Sequence, residues 1–101
     1  MLKPAQARMA RAALKWSLLD LQEKTGINKN TIVRFEAGKG ILLSTAIKLE
    51  DAFAKKGITF VYEDSNRGPG VLLSKKLSHL IDETVDMLAK GKPTGRNRKR
   101  K

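Results

Sequence analysis

Apolar residues return at helical spacing through the first half of the chain, then give way to a short β-branched run near its middle. From Pro4, a residue suited to a first helical turn, Ala5, Met9, Ala12, Ala13 and Trp16 recur every few positions. That spacing predicts a helix over 4–16 with those residues turned inward. Ser17 and Asp20 have the separation of a capping box and open a second helix, which runs to about Lys24 and stops at Gly26. Asn28 caps a third helix that Gly38 ends. Ser44 or Thr45 opens a fourth, carrying Ile47, Leu49, Ala52 and Phe53 and closed by Gly57. Loops this short between four helices predict a compact α-helical bundle.

At residue 58 the period changes. The run ITFVY (58–62) is β-branched and aromatic, EDSNRGPG is turn chemistry, and VLL (71–73) is a return strand. From about Ser74 to Lys90 a last helix gathers Leu73, Leu77, Leu80, Ile81, Thr84, Val85 and Leu88 into one apolar stripe. The expected fold is mostly α. A bundle of about four helices occupies 1–57, a short β-hairpin and an amphipathic helix occupy 58–90, and 91–101 is a disordered basic tail. The stripe can pack on the chain's own core or on a second subunit. A small core already exists without it, so a second subunit is expected, held by Phe60, Tyr62, Leu77, Leu80, Ile81 and Leu88.

Composition narrows what such a chain can do. With 101 residues, 41% of them apolar, it can bury one small core but cannot build a large enzyme cleft. It has no cysteine, which excludes disulfides and thiolate metal sites and fits a reducing cytoplasm. No apolar run approaches the roughly 20 residues of a membrane span, and the N-terminus lacks the continuous apolar stretch of a signal peptide. The formal charge is +11. Residues 90–101 hold seven basic residues and no acid, and setting those seven aside leaves +4 on the rest. Polyanions are the expected partners, nucleic acid before an anionic membrane surface. His79 with Glu83 is too small a set to hold a metal, and no histidine stands near an activated serine. No enzyme activity, metal or cofactor is expected.

The third helix carries the candidate chemistry. Ile32 and Phe35 take one side, with Leu21, Thr25 and Ile27 closing a two-helix corner around Gly26. The other side presents Lys29, Asn30, Val33 and Arg34. On an ordinary helix these would be a solvated face. A major groove admits one helix, however, and this set matches base edges: arginine or lysine with guanine, asparagine with adenine, and an apolar group with the thymine methyl. Asn28 also starts the helix where N–H groups attract phosphate.

The stretch WSLLDLQEKTGINKNTIVRFEAGKG (16–40) resembles the helix-turn-helix of the Cro/C1-type (XRE-like) regulators. The tryptophan-serine start, the TGI turn, the TI pair and the FEAGKG ending are shared, and the resemblance runs over 5–57. It implies a DNA-binding bundle, usually dimeric, that controls transcription. It places Lys29, Asn30, Val33 and Arg34 at base-reading positions. Ser17, Asn28, Thr31, Lys39 and Gly40 fall beside phosphate, and Arg11 and Glu36 where the first and third helices pair. Leu18 stands where the family often has a phosphate-holding glutamine, and Gln22 where it prefers a small alanine. The hairpin segment is similar to an extension of short members. The expected function is therefore a cytoplasmic, homodimeric regulator on double-stranded DNA that blocks or recruits RNA polymerase. Two alternatives remain: a DNA-binding antitoxin whose hairpin and last helix cap a toxin protein, or a basic nucleoid or RNA-binding protein.

Overall fold

The computed structural model describes the backbone of residues 1–90 and the side chains of residues 1–82. The tail over 91–101 and the side chain of Leu88 lie outside the described residues. The elements in order are α1 (Pro4–Leu14), α2 (Leu18–Thr25), α3 (Lys29–Glu36), α4 (Leu43–Ala54), β1 (Ile58–Val61), β2 (Gly70–Leu73) and α5 (Lys75–Lys90). The fold is thus mostly helical, a helix-turn-helix bundle followed by an antiparallel hairpin and a last helix.

Local chemistry accounts for the bundle's joints. Ser17 Oγ accepts from Asp20 N, and Asp20 Oδ2 accepts from Ser17 N, closing both ends of the α2 capping box. Gly26 takes the left-handed conformation at φ 76° and ends α2. Leu21, Ile32, Leu49 and Phe53 are fully buried at the centre. Phe53 stacks on Trp16 at 5.8 Å and meets Phe60 edge-on at 6.0 Å, joining the bundle to the hairpin.

In two helices the buried row matches the one their spacing predicts only in part: Leu49 and Phe53 are buried and Ala13 and Trp16 pack against the core, but other positions differ. In α1 the buried residues are Gln6, Ala7 and Ala10, whereas Met9 and Ala12 are exposed. The helix is so rich in alanine that two overlapping stripes are possible, and a polar residue decides between them. The Gln6 amide donates to Val61 O at 2.8 Å and Gly70 O at 3.0 Å, while its oxygen accepts from Lys3 N at 2.9 Å. Val61 and Gly70 face each other across the ladder, so Gln6 supplies partners where the strands part. In α4 the buried row is Ala46, Leu49 and Phe53, which leaves Ile47 exposed beside it. That helix also starts earlier than expected, at Leu43, and without a side-chain cap.

The hairpin and the start of α5 belong to the same core as the bundle. Ile58 and Leu77 are buried with Leu21 and Phe53, and Ile81 packs against that cluster. Leu77 is therefore a core residue of its own chain and is not free to form a subunit interface, contrary to expectation. Its place is set by Gly57 and Ser74. Ser74 N donates to Gly57 O, and Ser74 Oγ accepts from Leu77 N, capping α5 directly over the end of α4. Leu73, read both as the end of the return strand and as part of the helical stripe, ends β2.

Gly57 is required twice at this joint. Its φ is 101°, and a Cβ there would lie 2.5 Å from Ser74 Oγ and 3.2 Å from Leu77 Cβ. Gly57→Ala is expected to cost about 2–4 kcal/mol of folding stability through backbone strain and overpacking. A urea titration measures that loss, and an unchanged midpoint would mean that the α4–α5 joint is loose.

Candidate nucleic-acid interface

The α2–α3 corner is assembled by short-range hydrogen bonds. Gly26 N donates to Gln22 O at 2.7 Å. Thr25 Oγ1 donates to Leu21 O at 2.7 Å and accepts from Ile27 N at 3.1 Å, so one hydroxyl fixes both sides of the turn. Ile27, Ile32 and Phe35 then bury the inner face of α3. Lys29, Asn30, Val33 and Arg34 share the opposite, exposed face. The structure thus brings together on one surface the residues whose side chains match base edges.

That face is held from behind by α1. Arg11 Nε and Nη2 each donate to Glu36, at 3.0 and 2.9 Å, in a forked pair. A third donor, Arg11 Nη1, reaches Trp16 O at 3.3 Å, so one guanidinium ties α1 both to the start of α2 and to the end of α3. The Glu36 side chain is 9% exposed and that of Arg11 24%. Hydrogen bonding to Glu36 raises the Arg11 pKa, against the lowering effect of burial. Arg8 Nη1 donates to the backbone carbonyl of Glu36, a cation at the negative end of α3. The orientation of the exposed face is therefore set by two arginines on α1.

The first-turn N–H groups of α3 are not free for phosphate, contrary to expectation. Asn28 Oδ1 accepts from Asn30 N at 2.7 Å, and Gln22 Oε1 accepts from Lys29 N at 2.7 Å. Thr31 N is bonded to Asn28 O. The Asn28 and Thr31 side chains stand at this end of α3 beside Lys29. Gln22, a departure from the family's small residue, thus makes a second cap for α3 from the neighbouring helix. Ser17, Asn28, Lys39 and Gly40 are exposed, while Thr31 is half-buried. Gly38 and Gly40, at φ 85° and 92°, turn the chain after α3, and Lys39 N returns to Arg34 O at 2.9 Å. The Lys39–Gly40 loop is therefore anchored to the last turn of α3.

The remaining predicted residues lie elsewhere. Phe60 packs against the core beside Phe53. Tyr62 is half-exposed and donates its hydroxyl to Glu50, a bond that raises the phenol pKa and ties the hairpin to α4. Leu80 is 52% exposed and Ile81 is partly buried. Sequence reasoning misses Arg8 and Gln22. Arg8 has a backbone acceptor, which leaves no trace in the sequence, and Gln22 lies seven residues before its partner, within reach only once the turn has formed.

Among the described residues no group of histidine, cysteine, aspartate and glutamate could hold a metal, and no described helix is long and apolar enough to cross a membrane. A search of curated proteins finds no match to the chain. The model of the helix-turn-helix family matches residues 8–59, a span that runs from Arg8 through the α2–α3 corner to the first residues of β1. With its corner, its supporting arginines and its exposed polar helix all inside that match, the chain belongs to the Cro/C1-type helix-turn-helix family of DNA-binding regulators.

Proposed function

We propose that the protein is a sequence-specific transcriptional regulator that binds a two-fold operator as a homodimer, with α3 in the major groove. The observation that carries this reading is the exposed face of Lys29, Asn30, Val33 and Arg34 on a helix fixed from behind by Arg8 and Arg11. Each of the four residues has a base-edge partner. Ser17, Asn28, Thr31, Lys39 and Gly40 border that face and are assigned to the phosphates, which set register but not sequence. Regulation is by occupancy in the cytoplasm: a bound dimer blocks or recruits RNA polymerase, and no cofactor takes part.

A single α3 reads only a few base pairs, so a second subunit one DNA turn away, about 34 Å, is needed to mark a site. Residues 58–90 are assigned to dimerisation. Of these, Leu80 and Tyr62 offer exposed apolar surface, whereas Leu77 is core. Arg34→Ala is expected to lower affinity for a selected operator by about 1–3 kcal/mol and to relax base preference at one position. Gel-shift titration against a panel of single-base operator variants measures both effects. Unchanged affinity and preference would mean that α3 does not face the bases.

A further inference from the structure

We propose that the dimer forms by antiparallel pairing of β2 with β2 of a second copy of this chain, joining the two hairpins into one four-stranded sheet with Leu72 at the two-fold axis. The proposal rests on the homodimer reading above and names the surface that makes it. That surface is an unpaired strand edge. Ser74 N donates to Gly57 O at 2.8 Å, one step beyond the Ile58–Leu73 pair. Hydrogen-bonded and non-hydrogen-bonded pairs alternate along an antiparallel ladder. Thr59 with Leu72 and Val61 with Gly70 therefore exchange the ladder bonds. The N–H and C=O groups of Val71 and Leu73 point away from β1, and among the described residues no group bonds to them.

Burial distinguishes this edge from the outer edge of β1. Ile58 and Leu73 face each other across the ladder on the core side, yet Ile58 is 2% exposed and Leu73 39%. The bundle thus covers β1 and leaves β2 at the margin. On the other side of the sheet Leu72 is exposed as well. Solvent-facing edges ordinarily carry a charge, a proline or a bulge that blocks pairing with another strand. Gly70–Leu73 has no charge and no proline, and its register is unbroken.

The edge fits a second copy better than a free peptide. Pro69 precedes it and the α5 cap at Ser74 follows, so only Val71 and Leu73 offer backbone groups to a partner. A flexible segment would have to be ordered in return for those few bonds. The β2 strand of another copy is already extended and held in its own hairpin, which removes most of that cost. The edge is also complementary to itself. Rotation about an axis through Leu72 sets Val71 opposite the partner's Leu73 and Leu73 opposite the partner's Val71, and each pair exchanges N–H···O bonds in both directions. The two Leu72 residues then form the non-hydrogen-bonded pair between them, with Cα atoms about 4.5 Å apart and exposed side chains in contact. None of these residues lies in α2 or α3, so the pairing uses no part of the face assigned to bases.

Cross-linking and charge substitution at Leu72 test the pairing in the full-length chain. The unaltered protein is expected to scatter light as a dimer of its 11.2 kDa chain. The chain has no cysteine, so Leu72→Cys introduces a single thiol. Under mild oxidation that variant should form a disulfide-linked dimer, because a Cα separation of about 4.5 Å lies within the range a disulfide spans. Thr59→Cys is the control. Thr59 is paired with Leu72 and shares its side of the sheet, but in the joined sheet the two Thr59 residues stand three strand spacings apart, about 14 Å, and should cross-link far more slowly. Leu72→Glu and Leu72→Lys each set like charges opposite one another and should raise the dimer dissociation constant about tenfold with circular dichroism unchanged. An equimolar mixture of the two should associate more tightly than either alone. If the unaltered protein is dimeric but Leu72→Cys cross-links no faster than Thr59→Cys, or both charged variants dimerise as tightly as the unaltered chain, the edge pairing is wrong and the homodimer reading stands. If the unaltered protein is monomeric with and without DNA, the homodimer reading itself is overturned, and the edge pairing with it.

Discussion

Leu77→Asp is expected to unfold the monomer, not merely to separate two subunits. Leu77 is 8% exposed and lies in one cluster with Leu21, Phe53 and Ile58. It stands against the Gly57 turn, where its backbone N–H is capped by Ser74. An aspartate there would lose the apolar burial of a leucine and bring a charge to the edge of the core cluster, beside the depression that Lys55, Lys56 and Lys76 line. Large-to-small core changes cost about 2–5 kcal/mol. A chain of this size has about 5–15 kcal/mol in total, so the variant should melt at a much lower urea concentration. Trp16 fluorescence and far-ultraviolet circular dichroism should report the same transition. Leu80→Asp is the control: Leu80 is half-exposed, so this change should leave the melt close to that of the parent. Equal melts for Leu77→Asp and the parent would show that α5 contributes nothing to the core.

The contrast between those two leucines shows what the sequence can carry. Leu77 and Leu80 sit in the same apolar stripe, and periodicity gives them equal weight. The hydrogen bond from Ser74 to Gly57, with the packing of Leu77 on the core, fixes the start of the helix with one buried and the other exposed. The α2–α3 corner is legible because its signals are local. Ser17 and Asp20 are three residues apart, Gly26 needs a positive φ, and Asn28 caps the next turn. The outward residues of α3 follow from the same phase. In α1 the deciding bonds join Gln6 to backbone 55 and 64 residues away, and no reading of neighbours reveals them. Periodicity alone leaves a glutamine on the polar side, because its acceptors belong to a hairpin much later in the chain. The α3 supports divide in the same way: Glu36 is placed opposite Arg11 only through family resemblance, while the bond from Arg8 to a main-chain carbonyl has no side-chain partner to suggest it.

Deleting residues 92–101 is expected to weaken binding to every DNA sequence alike and to flatten its salt dependence. The deletion removes Lys92, Arg96, Arg98, Lys99, Arg100 and Lys101, six cations with no acid among them, and takes the formal charge from +11 to +5. Each cation that neutralises a phosphate releases counterions, so the slope of log affinity against log salt falls by about 0.9 for every phosphate left unneutralised. If all six cations pair with phosphates, the slope changes by roughly 5, equivalent to about three orders of magnitude in affinity across a fourfold range of salt. Phosphate pairing carries no sequence information, so the ratio of operator to non-operator affinity should stay constant. Arg34→Ala should behave in the opposite way, changing the ratio and lowering the slope by about 1 at most. The measurement is a salt titration of the full-length and shortened chains on operator and scrambled duplexes of equal length. An unchanged slope would make the tail a bystander. A changed operator-to-scrambled ratio would mean that the tail reads sequence and does more than neutralise phosphates.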